Sequence, residues 1–297
     1  MDYLITGASG FIGRNLVARL LAHGHEVNYL GRKRSPILDS RAAFHLWNGV
    51  DLPPLDSVPT LDAVVNLAGE PVAQRWNEEV KQRIHQSRVE GTRRLVDALS
   101  KLKHKPRALI SASATGYYGD RGEETLTEDS VPGNDFLADV CVAWEREALR
   151  ADEFGIRVVL IRIAPVLGRG GGLLAKVLPV FRAGLGGNLG SGKQWMPWIH
   201  IDDLIELFVF AAAQPDMCGP YNATTPEPVT NAQFTSALAR EVRRPAWLGV
   251  PQAALRLAFG EVAGSMMASQ RILPKRTLDA GFSFKLSQLM AALRSLV

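Results

Sequence analysis

The sequence predicts an α/β protein: a doubly wound parallel sheet followed by a small, mostly helical C-terminal lobe. Three observations predict it. Apolar runs of strand type alternate with helical patterns through the first two-thirds of the 297 residues. The first strand passes into its helix through a cluster of glycines. After Gly168 the texture changes to glycine-rich loops and short helices. Strand–helix alternation implies parallel strands joined by right-handed crossovers.

Residues 2–6 read as a short buried strand. Phe11, Ile12, Leu16, Val17, Leu20 and Leu21 then recur at helical spacing, and Gly24 suits a helix stop. Further strands are expected at 26–31, 62–67, 107–112 and 157–163, with helices at 11–23, 76–102 and 136–153. The run Leu61-Asp62-Ala63-Val64-Val65-Asn66-Leu67 has the continuous apolar character of a central strand. Beyond it, 173–183 and 202–213 read as helices. The glycine runs 168–172 and 184–192 are either plain connectors or a mobile lid. No internal repeat or low-complexity linker interrupts the chain.

The stretch Thr6-Gly7-Ala8-Ser9-Gly10-Phe11-Ile12-Gly13 lies on the first strand-to-helix turn. Glycines there let the backbone approach a ligand, and the free N–H groups of the helix start attract a pyrophosphate. The glycines are spaced three and three, not two and three as in the commonest fingerprint. Their position between strand and amphipathic helix carries the reading. A dinucleotide is therefore expected on Gly7, Ser9, Gly10, Phe11, Ile12 and Gly13 of a Rossmann-type sheet. The second strand ends at Gly31 and is followed by Arg32-Lys33-Arg34. Arg32 stands nineteen residues past Gly13. NAD-preferring folds place a carboxylate near there, on the ribose 2′-hydroxyl. A carboxylate would repel a 2′-phosphate, whereas a guanidinium binds it bidentately. NADP(H) is the expected cofactor. Residues 1–165 would form its domain, with 199–225 returning to it. Residues 166–198 and 226–297 would form a lobe that closes a substrate cleft over the sheet.

The formal net charge is +4, but Lys and Arg are dispersed rather than gathered in a stripe with aromatics. No nucleic-acid partner is expected. Cys141 and Cys218 are the only cysteines and lack metal spacing, and the six histidines are scattered. No metal site is expected. No run approaches the roughly 18 apolar residues of a membrane span. The chain opens on a strand without a charged, cleavable leader, so a cytoplasmic location is expected.

Later motifs, taken with the turn, resemble the extended and atypical short-chain dehydrogenase/reductase superfamily. Asn66-Leu67-Ala68-Gly69 resembles its Asn-Asn-Ala-Gly motif, which implies contacts on the adenosine side. Ser111-Ala112-Ser113-Ala114-Thr115-Gly116-Tyr117-Tyr118-Gly119 resembles the Ser-Ser-Ser-Ala-Thr-Val-Tyr-Gly stretch of nucleotide-sugar epimerases. Trp198-Ile199-His200-Ile201-Asp202-Asp203 and Gly219-Pro220-Tyr221-Asn222-Ala223 resemble two further segments of theirs. A closer likeness is to the "epimerase family proteins", through Ser87–Thr92, Trp144-Glu145, Val166–Gly172 and Gly190–His200. The tail, Gln270–Arg276 with Ala280-Gly281-Phe282, resembles the small C-terminal domain of unknown function in that subgroup. The resemblance spans the whole chain.

It implies that Ser113 bonds the reacting oxygen, with Thr115 able to substitute. It also implies that the backbone of Ile163, Ala164, Pro165 and Val166 faces the nicotinamide. Tyr117 and Tyr118 either line the cleft or pack. One departure stands out. The superfamily's Tyr-x-x-x-Lys pair, whose lysine lowers the tyrosine pKa, falls here on Leu137 and Cys141, or on Phe136 and Val140. Neither register supplies a proton relay, and a buried Cys141 is expected to be inert. Candidate replacements are Tyr117, Tyr118, His200 and Lys193. His200 also suits a structural role, capping the next helix, with Asp202 as the N-cap itself. Arg75-Trp76 and Trp195–Trp198 either frame a substrate or pack.

The expected activity is hydride transfer between NADP(H) and a small carbonyl or alcohol substrate, with Ser113, Tyr117 and Tyr118 as the catalytic residues. A non-catalytic NADP(H)-binding or redox-sensing protein is the first alternative. A nucleotide-sugar epimerase or dehydratase is the second. By analogy with the superfamily, a homodimer would form through the helices near 80–100 and 136–153.

Overall fold

The computed structural model describes every residue except Pro59. Seven strands form one parallel sheet: β1 (Asp2–Thr6), β2 (Glu26–Gly31), β3 (Ala43–Leu46), β4 (Ala63–Asn66), β5 (Ala108–Ala114), β6 (Arg157–Ile163) and β7 (Gly219–Ala223). Their spatial order is β7-β6-β5-β4-β1-β2-β3, so the winding reverses between β1 and β4. In open α/β sheets such a reversal leaves a crevice at the carboxyl ends of the strands, and ligands bind there.

The strands are buried on both faces, and alternate residues serve different layers. Tyr3, Ile5, Val27, Tyr29, Val65, Ile110, Val159 and Ile161 pack with helices α1 (Phe11–Ala22) and α5 (Ile201–Ala213). Leu4, Leu30, Val64, Leu109, Val158 and Leu160 pack with helices α2 (Glu78–Leu99) and α3 (Phe136–Leu149). The starts of α2 and α3 carry side-chain caps. The Asn77 side chain caps α2 by accepting from Val80 N–H, and Glu78 and Glu79 complement the helix dipole. Asp135 caps α3 in the same way through Ala138 N–H.

The expected strands and helices are present, with ends shifted by a few residues. β3 was not expected. It is a four-residue edge strand, Ala-Phe-His-Leu, none of it fully buried, so it lacks the apolar run that marks the inner strands. Residues 199–225 supply α5 and β7, and β7 pairs with β6.

The further helices are α4 (Gly172–Arg182), α6 (Asn231–Val242), α7 (Gln252–Phe259), α8 (Val262–Met267), α9 (Lys275–Asp279) and α10 (Leu289–Leu296). Of these, α4, α6 and α10 share a core with Trp198, made of Leu174, Phe181, Phe234, Leu238 and Leu293. Among the described residues, no helix is long and apolar enough to cross a membrane. No group of three potential metal ligands occurs among them either.

Candidate functional site

The glycine turn lies at the winding reversal. Gly7 adopts φ +69°, and a Cβ there would come within 2.7 Å of the Leu67 carbonyl carbon. Glycine at this position thus allows the turns after β1 and β4 to touch. A Cβ on Gly13 would lie 2.6 Å from Ala8 Cα, so helix α1 seats directly on the turn. Gly10 is the N-cap and has no side chain to offer as a cap. The first bond of α1 runs from Arg14 N–H to the Gly10 carbonyl. The N–H groups of Phe11, Ile12 and Gly13 therefore have no acceptor within the helix. Ser9 and Gly10 are exposed beside them. Such unpaired N–H groups can hold an anion.

Asn66 requires a correction. It was expected on the nucleotide, but its side chain is 3% exposed and fully engaged. It accepts from Thr6 Oγ1 at 2.7 Å and donates to Thr92 Oγ1 at 2.9 Å. Thr6 Oγ1 in turn accepts from the N–H groups of Leu67 and Ala68, both at 3.1 Å. Asn66 and Thr6 thereby set the backbone of the second turn, while Leu67, Ala68 and Gly69 remain partly or fully exposed. Arg32 is exposed directly after β2, with no carboxylate paired to it among the described residues.

The third turn follows β6. Ile163 is half-buried and Pro165 exposed, while Ala164 and Val166 are buried. The Ala164 N–H donates to the Ala223 carbonyl, and the Pro165 carbonyl accepts from Ile199 N–H. The first glycine run is anchored rather than free. A Cβ on Gly168 would fall 2.5 Å from the Phe11 ring, and Arg14 donates to the Gly170 carbonyl at 2.9 Å. The ring of Phe11 thus fixes this loop over the start of α1.

The carboxyl end of β5 carries Ser113, Tyr117 and Tyr118, and the structure divides their roles. Ser113 is 2% exposed and its hydroxyl donates to Glu145 Oε1 at 2.6 Å. Tyr118 is fully buried, and its hydroxyl donates to Asn222 Oδ1 at 2.6 Å while accepting from Arg162 at 3.0 Å. Burial pushes the Tyr118 phenol up to about 12, against the pull of Arg162. The expectation that Tyr118 serves a substrate is therefore corrected: both its donor and its acceptor capacity are spent inside the protein. The Ser113 proton is likewise committed. Tyr117 differs. It is half-buried, its ring lies 3.5 Å from the Arg162 guanidinium, and its hydroxyl has no partner among the described residues.

The centre of this network was not expected from sequence. Glu145 and Arg162 form a buried ion pair, and Arg162 also donates to the Glu128 carbonyl at 3.2 Å. Burial would lower the Arg162 pKa, but the bonds to Glu145 and Tyr118 outweigh it, and the guanidinium stays charged. The one available signal was an arginine inside the apolar strand Val158–Ile163. Leu137 packs against this turn, its Cβ 3.2 Å from the position of a Cβ on Gly116. Cys141 is buried beside the Ala114 carbonyl, and burial pushes its thiol up to about 12. It is no base at neutral pH.

His200 caps α5: its Nδ1 accepts from Asp202 N–H at 3.1 Å, and Nε2 faces Ser295 Oγ at 3.1 Å. Of the two residues expected at this cap, His200 is the N-cap and Asp202 is not. Asp202 occupies the first turn instead, where its charge complements the dipole.

A parallel sheet wound 3-2-1-4-5-6-7 with an uncapped, glycine-lined helix start at its reversal defines a nucleotide-binding fold of the short-chain dehydrogenase type. The chain belongs to the NAD dependent epimerase/dehydratase family, whose model matches residues 3–223. A second model, a domain of unknown function (DUF1731), matches residues 250–296. The chain is 40% identical over its whole length to the chloroplastic epimerase family protein SDR39U1 homolog of Arabidopsis thaliana, covering 87% of that protein. It is 37% identical to the epimerase family protein YfhF of Bacillus subtilis, covering all of this chain and 98% of the relative. The crystal structure of human epimerase family protein SDR39U1 (isoform 2) with NADPH superposes with a TM-score of 0.91 at 35% identity. It covers 100% of this chain and 99% of the human one. UDP-glucuronic acid 4-epimerase from Bacillus cereus superposes at a TM-score of 0.80 with 19% identity, a likeness of fold alone.

Proposed function

We propose that this chain binds NADP(H) and acts as an oxidoreductase on a small carbonyl or alcohol substrate. The observation that carries the reading is the pairing of two features. One is the anion cradle of Gly7, Gly10 and Gly13. The other is a cation, Arg32, where an NAD-specific fold would carry a carboxylate. The crystal structure of the human relative with NADPH supports the same choice.

The residues present fit a phosphorylated dinucleotide. The first-turn N–H groups of α1 would take the pyrophosphate, Arg32 the 2′-phosphate, and the turns at Leu67–Gly69 and Ile163–Val166 the two flanks. When bound, the nicotinamide supplies or accepts the hydride. The protein's part is to hold the substrate oxygen. Tyr117 has the free hydroxyl for that task, at the carboxyl end of β5, with its ring packed on Arg162. Ser113 supports the same strand end through Glu145.

Leu137 and Cys141, or Phe136 and Val140 in the other register, favour a second reading, a nucleotide-binding protein without turnover, because neither pair relays a proton at neutral pH. Fluorescence titration with NADPH and NADH, followed by a panel of carbonyl compounds, tests both. Tight NADPH binding with turnover of any carbonyl supports the first reading. Tight binding with no turnover supports the second. Absence of nucleotide binding overturns both.

A further inference from the structure

We propose that Arg271 is an anion-binding residue bordering the site turn, and that it recognises a carboxylate or phosphate group on the substrate. This rests on the reading of that turn as the substrate side of the cleft. The tail segment 269–272 is laid along the turn that carries Tyr117. Ser269 N–H donates to Asp120 Oδ1 at 3.0 Å, and its hydroxyl donates to the Gly122 carbonyl at 2.6 Å. The Gln270 amide donates to the carbonyls of Thr115 and Gly119, at 3.0 and 2.9 Å, so it spans both ends of the turn. Arg271 and Ile272 then pair in parallel with Thr125 and Leu126.

Arg271 itself is held flat. Its guanidinium carbon lies 4.7 Å from the centre of the Trp195 ring, and the indole N–H of Trp195 is fixed on Glu123 at 2.7 Å. Its Nε is out of contact with solvent and has no acceptor. Among the described residues no carboxylate pairs with it. The other sequestered arginines are all satisfied. Arg162 has Glu145, Arg157 has the carbonyls of Ala211, Ala212 and Met217, and Arg88 has those of Glu70 and Ile84. A buried guanidinium donor without an acceptor is costly, and an apolar side chain would pack on Trp195 without that cost. The Nη groups are not enclosed, carry no hydrogen bond among the described residues, and present an edge of parallel N–H groups, the complement of a planar carboxylate or of two phosphate oxygens. Stacking on an aromatic ring keeps that edge oriented and poorly hydrated. The DUF1731 segment would thus contribute specificity for a negatively charged substrate, not only bulk.

The test uses the full chain saturated with NADPH, so that the pyrophosphate cradle is filled. Wild type, Arg271→Met and Arg271→Lys are titrated with sodium acetate and with inorganic phosphate against chloride at matched ionic strength. Thermal melting is the readout, because a ligand that binds only the native state raises it by mass action. Wild type is expected to gain about 2 °C or more at tens of millimolar of one anion. Arg271→Met should lose that gain yet melt within about 1 °C of wild type, or higher, in chloride. Arg271→Lys should keep part of the gain. The anion with the larger shift names the group, carboxylate or phosphate. If Arg271→Met melts several degrees lower in chloride, or shows the wild-type anion shift, Arg271 is structural and the proposal is wrong. NADPH titration of the same samples separates the two readings. Failure to bind nucleotide removes the proposed function, while the Arg271 dependence of the acetate shift still decides this one.

Discussion

Glu145 and Arg162 face each other as a buried bidentate pair, Nε to Oε1 and Nη2 to Oε2, both at 2.9 Å. The pair joins α3 to β6 and is completed by Ser113 on β5 and by Tyr118, which reaches Asn222 on β7. Four elements around the site thus share one charge-assisted network. Removing one partner of such a pair leaves the other charged and desolvated. Glu145→Gln should therefore lose about 3–5 kcal/mol of stability, read from urea unfolding. A loss below about 1 kcal/mol would show that Arg162 finds other partners and that the network does not order the site.

Gly10 and Gly13 make separable demands. Gly10 has φ −70°, open to any residue, and a Cβ there would meet only the Gly7 carbonyl at 3.2 Å. Its added side chain would stand over the free N–H groups of α1. Gly10→Val should abolish NADPH binding and leave the far-ultraviolet circular dichroism intact. Gly13→Ala drives its methyl into the Ala8 backbone and should destabilise the fold as well. Undiminished NADPH affinity in Gly10→Val would move the nucleotide site elsewhere.

Arg32 decides the choice of cofactor. One charge-assisted phosphate contact contributes roughly 1.5–3 kcal/mol, about tenfold or more in affinity. NADPH should bind more tightly than NADH by that factor, and Arg32→Asp should erase or reverse the preference. Equal affinities in the wild type would remove Arg32 from the 2′-phosphate.

Much of this was legible because period and position agree. The inner strands are continuous apolar runs, the first helix repeats its apolar residues at helical spacing, and the glycine turn lies where a strand becomes a helix. The edge strand Ala43–Leu46 was not legible, because a short half-exposed strand has no distinctive pattern. The site chemistry was only half legible. Sequence placed Ser113, Tyr117 and Tyr118 together but could not say which hydroxyl was free. That depends on Glu145, 32 residues from Ser113, and on Asn222, 104 residues from Tyr118. Long-range polar partners leave no local period to read. Asn66 misled for the same reason: its partners are Thr6, from β1, and Thr92, from α2.

His200 makes part of the stability depend on pH. Its Nδ1 must accept from Asp202 N–H, so the capping form is neutral, and burial holds its pKa below the usual 6.5 despite Asp202 and Asp203. The unfolded chain takes up the proton near 6.5, the native chain only at lower pH, so this contribution is lost as pH falls through that window. A cap contributes about 1 kcal/mol. His200→Asn keeps a side-chain acceptor but not the titration. The stability gap between wild type and variant should narrow from pH 7.5 to 5.5 in urea midpoints. A constant gap would mean that His200 does not titrate in this range.

Tyr117 carries the catalytic prediction. Its hydroxyl is the unspent donor of the three at the end of β5, and its ring is set against Arg162. A donor aimed at charge developing on a carbonyl oxygen contributes up to about 3–4 kcal/mol, some hundredfold or more in rate. Tyr117→Phe removes only that hydroxyl. It should cut kcat of any carbonyl reduction by that order while melting like the wild type. Tyr118→Phe should instead lower the melting temperature, because it strands Asn222 and Arg162. Phe136, Leu137, Val140 and Cys141 also predict that epimerisation of UDP-glucose, which needs a proton relay and a firmly held nucleotide, is weak or absent. Full activity in Tyr117→Phe would take the donor role from this residue. Rapid epimerisation of UDP-glucose by the wild type would show that the missing tyrosine–lysine pair has been replaced in a way that Tyr117 alone does not explain.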